Sequence, residues 1–400
     1  MTRFIGTRAL FIPGPTNVPD AVRRAIDLPQ QDMRAPDFAS FTLPIFENLK
    51  KVFRTETGTP VVFPSSGTGL WEAALTNCLS PGDRVLVARF GQFSHLWVDM
   101  AERLGFEVEC IDVEWGRGIP IEQIEEALSQ DRGHAIKAVL ATQNETATGV
   151  ASDIGELRAA MDRAAHPALL MVDGVSAVGS LEHRFDDWRI DVTVSGSQKG
   201  FMLPAGLGIG CFSEKALTAA ESAWSRRCYF DVRDMVAINQ TGYFPYTPPT
   251  NLLAGLKVAT DMLLDEGLDA VTARHHRLAG AVRAAVAGWG LQLCAQEARW
   301  HSDTVSAVML PEGTDGGAFI RHAYFEYGIS YGAGLSKVAG KLFRIGHLGD
   351  LNETMVLQIL GATELVMRDM GMAFETGSGV AAAIEHLSRP VGGGLKVAAE

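Results

Sequence analysis

Residues 168–176 read ALLMVDGVS, and residues 192–200 read VTVSGSQKG. Each stretch opens with a short apolar run typical of a buried strand and then passes into small and polar residues. Asp173 stands at the end of the first run, and Lys199 follows the second. Taken singly, a turn aspartate and a solvated surface lysine are the ordinary interpretations. An unpaired buried carboxylate is costly, however, so Asp173 is expected to have a cationic or hydrogen-bonding partner.

Short apolar runs alternate with helical segments on the N-terminal side of these stretches. The runs are TPVVF from residue 59, RVLVARF from residue 84 and AVLATQ from residue 138. The alternation predicts an α/β protein whose main sheet is mostly parallel and doubly wound. Ligands of such sheets bind beyond the carboxyl ends of the strands, which is where Asp173 and Lys199 are expected to lie.

The pattern changes after about residue 250, where two helical segments are separated by Gly267. Strand candidates at 304–310 and 341–347 then predict a second, smaller α/β unit. We therefore expect an N-terminal arm (1–20), a large domain (21–266) and a small C-terminal domain (267–376). Glycine clusters predict a mobile tail over residues 377–400.

Composition excludes several other classes of protein. The chain has 400 residues and a net charge of −12, which disfavours a nucleic-acid partner. Five cysteines form no CxxC pair, so we expect neither zinc nor disulfides, and a reducing cytoplasm fits best. No metal site is expected, and no apolar stretch approaches the roughly 20 residues of a membrane span. The run Gly206–Gly210 lacks the spacing of a dinucleotide-binding loop.

The loop from Ser65 to Gly69 runs directly into a predicted helix. Glycines let the backbone approach an anion closely, and free N–H groups at a helix start attract it. Pyridoxal phosphate needs such a phosphate site, an amine that binds it as a Schiff base and a carboxylate that keeps its pyridine nitrogen protonated. The loop, Lys199 and Asp173 meet these three needs at the ends of predicted strands, so we expect pyridoxal phosphate as cofactor.

Six ordered motifs resemble those of the class V, fold-type I aminotransferases that depend on pyridoxal phosphate, and within them the alanine–glyoxylate and serine–glyoxylate enzymes. The resemblance extends over nearly the whole chain. The motifs are PGPTN (13–17), SGTG (66–69), NETATG (144–149), VDGVS (172–176), GSQKG (196–200) and FRIGHLG (343–349).

The resemblance implies a role for each of a set of residues. The implied catalytic residues are Lys199 and Asp173. The implied cofactor-binding residues are Ser66, Gly67, Thr68, Phe93, Thr146, Asp173, Gln198, Lys199, Tyr243 and Thr247. The implied substrate-binding residues are Arg344, Gly14 and Thr146. Mammalian alanine–glyoxylate enzymes tend to have Trp at the position of Phe93 and His at that of Thr68.

The reaction implied by the resemblance is transfer of an amino group from L-serine to glyoxylate, giving hydroxypyruvate and glycine. L-Aspartate and L-alanine are alternative donors. The resemblance also implies a homodimer in which Tyr243 and Thr247 reach the neighbouring subunit's cofactor. A lyase or desulfurase, for which only Cys228 is arguable, and a non-catalytic scaffold are the alternatives of another class. Whether Arg34 and His347 line the substrate pocket is left open.

Overall fold

A computed structural model describes residue 6 and residues 8–389. The first residues of the expected arm, 1–5 and 7, and residues 390–400 of the expected tail lie outside this description. The strands are β1 (Ala9–Phe11), β2 (Thr59–Ser65), β3 (Arg84–Arg89), β4 (Glu107–Asp112), β5 (Ile136–Thr142), β6 (Asn144–Glu145), β7 (Val150–Ala151), β8 (Leu169–Asp173), β9 (Val192–Gly196), β10 (Gly206–Phe212), β11 (Gln292–Leu293), β12 (Val305–Met309), β13 (Ile329–Ala333) and β14 (Leu342–Gly346).

Thirteen α-helices accompany these strands in the described part of the chain. They are α1 (Asp20–Ile26), α2 (Phe38–Phe53), α3 (Gly67–Cys78), α4 (Gln92–Arg103), α5 (Ile121–Gln130), α6 (Ile154–Arg163), α7 (Glu214–Ser222), α8 (Val232–Asn239), α9 (Thr250–Glu266), α10 (Leu268–Gly288), α11 (Gly316–Tyr327), α12 (Glu353–Asp369) and α13 (Ser378–Leu387). Among the described residues, no helix is long and apolar enough to cross a membrane.

The main sheet has seven strands in the order β2-β10-β9-β8-β5-β3-β4. Pairing is parallel from β9 to β4, and only β10 runs antiparallel to its neighbours β2 and β9. The expected mostly parallel sheet is confirmed. The central strands β8 and β9 are buried along their whole length, as is typical of a parallel sheet covered on both faces. Since β8 and β9 are parallel neighbours, their carboxyl ends lie at the same edge.

Strand β10 brings helix α3 close to the sheet through a glycine. A side chain at Gly208 would overlap Leu70 of α3 and would lie 2.8 Å from the carbonyl oxygen of Ser66. The alternating glycines of Gly206–Gly210 therefore do not form a nucleotide-binding loop. They lie in a strand, and their lack of side chains lets helix α3 pack closely against it. This packing fixes the start of α3 beside the ends of β8 and β9.

A second sheet has five strands in the order β1-β13-β14-β12-β11. Its first strand comes from the expected N-terminal arm, because β1 pairs in parallel with β13. Phe319 and Phe343 stack at 4.5 Å between ring centroids within the apolar core beneath this sheet. The arm is thus joined to the smaller unit. Gly267 separates α9 from α10, and the division of domains at this residue remains a proposal.

The expectation of a mobile tail from residue 377 is wrong for its first part. Residues Ser378–Leu387 form α13, whose apolar face packs against α10. Glu364 accepts hydrogen bonds from the backbone N–H groups of Gly377 and Gly379 and from the indole of Trp289. The glycines allow this close approach, since a side chain at Gly379 would overlap Trp289.

Candidate active site

The ends of β8 and β9 place a carboxylate and an amine side by side. Asp173 is the last residue of β8 and is buried, and its Oδ1 accepts a hydrogen bond of 2.9 Å from the backbone N–H of Val175. Lys199 lies in the turn after β9, and its Nζ donates a hydrogen bond to the carbonyl oxygen of Pro13.

Burial moves the pKa values of both groups toward neutrality. It raises the pKa of Asp173 to about 7, and the negative charge of Glu145 adds to the rise, whereas Lys199 opposes it. It lowers the pKa of Lys199 to about 8, with the positive charge of Arg344 adding to the fall. Shifts of this size in a neighbouring carboxylate and amine are typical of functional sites.

A cavity of about 130 Å³ lies over this pair. Its lining includes eight of the residues predicted to bind the cofactor, namely Ser66, Gly67, Thr68, Phe93, Thr146, Asp173, Gln198 and Lys199. Trp71, Asn144, Val175 and Ser176 also line it and were not predicted. Asn144 follows the end of β5, and Trp71 lies one helical turn after Gly67. Their positions at a strand end and on one helix face are the sequence signals that could have found them.

The head of α3 fits the phosphate end of pyridoxal phosphate. Ser66 precedes the helix without forming a side-chain cap, and backbone N–H groups of a first helical turn have no partner within the helix. Nearby, Oε1 of Gln198 is buried without a hydrogen-bond partner in the described part of the chain. A side chain at Gly196 would lie 3.3 Å from the backbone nitrogen of Gly67, so glycine keeps this approach open.

Arg344 is a buried cation next to the cavity rather than in its lining. Its Nε donates to the carbonyl oxygen of Ala333 at 2.9 Å, and its Nη1 donates to that of Thr146 at 2.9 Å. No carboxylate within the described residues forms an ion pair with it. Burial lowers its pKa to about 10, while Glu145 opposes the fall. A guanidinium that bonds only to neutral carbonyls retains capacity for an anion.

The N-terminal segment after β1 packs directly on the lysine turn. Thr16 donates through its backbone N–H to the carbonyl oxygen of Gln198 at 3.1 Å and through its hydroxyl to that of Lys199 at 3.2 Å. Gly14 has a φ of +110°, and a Cβ there would lie 2.6 Å from Cε of Lys199. Gly14 therefore lies against Lys199 without lining the cavity itself.

Four residues lie away from this cavity on the same chain: Tyr243 and Thr247, which were predicted to bind the cofactor, and Arg34 and His347, whose part in the substrate pocket was left open. The hydroxyl of Tyr243 donates to the carbonyl oxygen of Ala35 at 3.0 Å, and Thr247 is exposed. Arg34 is also exposed. His347 is buried, where its ring contacts Ser306 Oγ and the carbonyl oxygen of Asp303. His347 therefore does not line this cavity.

A comparison with family models matches residues 34–310 to the class V aminotransferase family. The chain belongs to the class V aminotransferase family. Related proteins include the serine–glyoxylate aminotransferase of Hyphomicrobium methylovorum, 57% identical over 96% of this chain and 95% of the relative. The L-aspartate–glyoxylate aminotransferase of Paracoccus denitrificans is 51% identical over 98% of each chain. The crystal structure of pyridoxamine–pyruvate aminotransferase from Mesorhizobium loti matches with a TM-score of 0.90 and 27% identity, over 96% of this chain and 97% of the other.

Membership confirms that this class V aminotransferase has the expected fold-type I architecture and that its cofactor is pyridoxal phosphate. The alternative of a desulfurase finds no support in the site, because Cys228 is exposed and does not line the cavity. The alternative of a non-catalytic scaffold does not account for a carboxylate and an amine, Asp173 and Lys199, that line the same cavity.

Proposed function

We propose that this class V aminotransferase transfers the amino group of L-serine to glyoxylate, giving hydroxypyruvate and glycine. The observation that carries the proposal is Arg344, a buried cation beside the cavity with no carboxylate partner in the described chain. It suits a substrate with one carboxylate and an uncharged side chain. The similarity to the Hyphomicrobium serine–glyoxylate enzyme, 57% identical over nearly the full length, supports serine as that substrate.

Lys199 and Asp173 carry the chemistry in this proposal. Pyridoxal phosphate, when bound, supplies an electron-withdrawing ring that accepts the electron pair left at the substrate Cα. Asp173 keeps the ring nitrogen protonated, because a negative charge beside it favours the charged form. Nζ of Lys199 would hold the cofactor and, as a free amine, would take a proton from the substrate Cα and return it in the transfer. The lowered pKa of Lys199, about 8, suits an amine that acts as a base.

The other residues of the cavity bind and orient. In the proposal they are Ser66, Gly67, Thr68 and Gln198 at the phosphate, Phe93 stacked on the ring and Thr146 at the ring hydroxyl. Arg344 binds the substrate carboxylate through its planar guanidinium, which matches a carboxylate with two parallel hydrogen bonds. Gly14 leaves space beside Lys199 so that the arm covers the substrate.

We also propose a homodimer in which Thr247, and less directly Tyr243, reach the phosphate of the partner subunit. The exposure of Thr247 supports this assignment, whereas the bond from Tyr243 to Ala35 employs its hydroxyl within its own chain. Light scattering on the purified enzyme tests the dimer, and a monomer that retains full activity would contradict it. We propose the cytoplasm as its compartment, since all five cysteines are free thiols.

L-Aspartate is the second candidate donor, supported by the Paracoccus relative at 51% identity. Aspartate brings a second carboxylate, and burying it without another cation is costly. Steady-state kinetics with glyoxylate and a panel of serine, aspartate and alanine decide between them. We expect kcat/KM for serine to exceed that for aspartate at least about tenfold, which needs only ~1.4 kcal/mol of discrimination.

Arg34 is the cation that could reverse this order from outside the cavity. If the native enzyme prefers aspartate and Arg34→Ala abolishes that preference, the proposal of serine fails and aspartate replaces it. If Arg34→Ala leaves the ratio of the two donors unchanged, Arg34 has no part in donor choice. Failure of every donor to react with glyoxylate would overturn the choice of acceptor.

A further inference from the structure

Glu145 is a buried carboxylate that the proposed function does not use. Its side chain has 0% exposure and stands directly before Thr146. The carboxylate accepts hydrogen bonds from the backbone N–H groups of Phe93 at 2.9 Å and Ser94 at 3.0 Å. It also accepts from the hydroxyl of Ser94 and from the backbone N–H of Ala147, both at 3.2 Å.

These bonds join two segments that contribute to the cofactor cavity. Phe93 and Ser94 belong to the first turn of α4, whose free N–H groups favour a negative charge. Ala147 lies in the loop that holds Thr146. A Cβ at Gly91, just before α4, would lie 2.5 Å from Oε2 of Glu145, so the backbone there is shaped around the carboxylate.

Thr146 extends the connection to the substrate side. Its carbonyl oxygen accepts the hydrogen bond from Nη1 of Arg344, and the negative charge of Glu145 acts favourably on that guanidinium. A single buried carboxylate thus contacts the segments of Phe93 and Thr146 and lies one residue from the bond that orients Arg344.

We propose that Glu145 is a positioning residue: its carboxylate fixes Phe93 and Thr146 at the cofactor cavity and, through the Thr146 carbonyl, orients Arg344. The inference deepens the proposed function and rests on its assignment of those three residues. Glutamine cannot replace Glu145, because three of the four contacts are backbone N–H donors and they face both oxygens. Whichever way the amide is turned, its NH₂ group faces an N–H donor.

The chain provides a matched control in Glu364, a second buried carboxylate at a helix start. It accepts from the backbone N–H groups of Gly377, Gly379 and Val380 and from the indole of Trp289, far from the cavity in the smaller unit. Glu364→Gln therefore reproduces the loss of acceptor oxygens and of a helix-capping charge without touching the cofactor segments.

The test compares Glu145→Gln and Glu364→Gln in the full chain. The measurements are thermal unfolding, the dissociation constant of pyridoxal phosphate and the visible circular dichroism of the bound cofactor. We expect both variants to lose stability. Only Glu145→Gln should change the dichroism and weaken cofactor binding, by at least about tenfold for hydrogen bonds lost from a charged group. If Glu145→Gln resembles Glu364→Gln in all three measurements, the proposal is overturned.

A milder variant keeps the test decisive if Glu145→Gln does not fold. Ser94→Ala removes one hydroxyl donor from the carboxylate, together with the oxygen that accepts from the backbone N–H groups of Phe90 and Gly91. It should shift the dichroism and the cofactor dissociation constant in the same direction by a smaller amount. An unchanged spectrum and affinity in Ser94→Ala would count against the proposal. All these readouts concern cofactor binding, so they stand even if serine proves not to be the donor, and they separate the two claims.

Discussion

Nζ of Lys199 donates a hydrogen bond to the carbonyl oxygen of Pro13, although the two residues are 186 positions apart. Pro13 follows β1 of the smaller sheet, and Lys199 follows β9 of the larger one. The bond therefore links the two sheets at the amine that we propose holds the cofactor. The segment around Pro13 therefore lies against the amine itself.

Gly14→Ala should disturb Lys199 directly. The added methyl group would lie 2.6 Å from Cε of Lys199, and the φ of +110° adds backbone strain. Gly82→Ala is a matched control, since Gly82 has a φ of +87° and open space where a Cβ would stand. We expect both variants to lose stability by about 1–2 kcal/mol from the strained backbone. Only Gly14→Ala should alter the visible absorbance of the lysine-bound cofactor, and equal spectra for the two variants would refute the contact.

Asp173 should lower the stability of the cofactor-free enzyme, relative to that of Asp173→Asn, as the pH rises from about 4 to about 7. The pKa of Asp173 is raised from 3.8 to about 7, so its contribution to stability is present below the lower value and lost as the pH passes through the higher one. Thermal unfolding of the cofactor-free native protein and of Asp173→Asn across this range should show the stability of the native protein falling relative to that of the variant.

Asp186→Asn is the control for that prediction, with the opposite sign. Hydrogen bonds from Thr55, Glu56 and Thr57 lower the pKa of Asp186 despite its partial burial, so its contribution is lost as the pH falls. A pH dependence in Asp173→Asn equal to that of the native protein would show that Asp173 is only a turn residue.

Arg344→Lys should weaken every amino donor alike. Lysine loses the planar pair of hydrogen bonds to the shared α-carboxylate, which we expect to lower kcat/KM about 10–100-fold for serine, aspartate and alanine. Arg283→Lys serves as a control, because Arg283 forms an ion pair with Asp303 away from the cavity. A loss confined to one donor would mean that Arg344 recognises a side chain instead of the common carboxylate.

The sequence predicts the strand ends of the site well because a buried apolar run that stops at a charged residue is a local pattern. Asp173 and Lys199 are of this kind, and the neighbouring parallel pairing of β8 and β9 brings them together. Asn144 and Trp71 follow from the same rules of strand end and helix face. They were not predicted because an amide or an indole can be buried at such a position without the large desolvation cost of a charged group, so neither residue stands out in the sequence.

Other features depend on pairing between distant segments, which local patterns do not specify. The edge strand β1 finds its partner β13 more than 300 residues away, so the arm looks separate in the sequence. His347 follows a charged strand residue and resembles a site residue, yet its ring turns to Ser306 of the antiparallel strand β12. Helix α13 is formed from a glycine-containing segment because Glu364, on α12, caps it.

The most direct test of the cofactor centre is to fix the cofactor to its lysine and locate it. Borohydride treatment of the native enzyme makes the bond between pyridoxal phosphate and lysine permanent, and mass spectrometry of the digested protein identifies the modified peptide. We predict that the peptide containing Lys199 carries the cofactor mass. Lys199→Ala should show neither that mass nor transamination. Lys257→Ala is the control, because Lys257 pairs with Asp261, and it should behave as the native enzyme. Attachment to any other lysine, or full transamination by Lys199→Ala, would contradict this prediction.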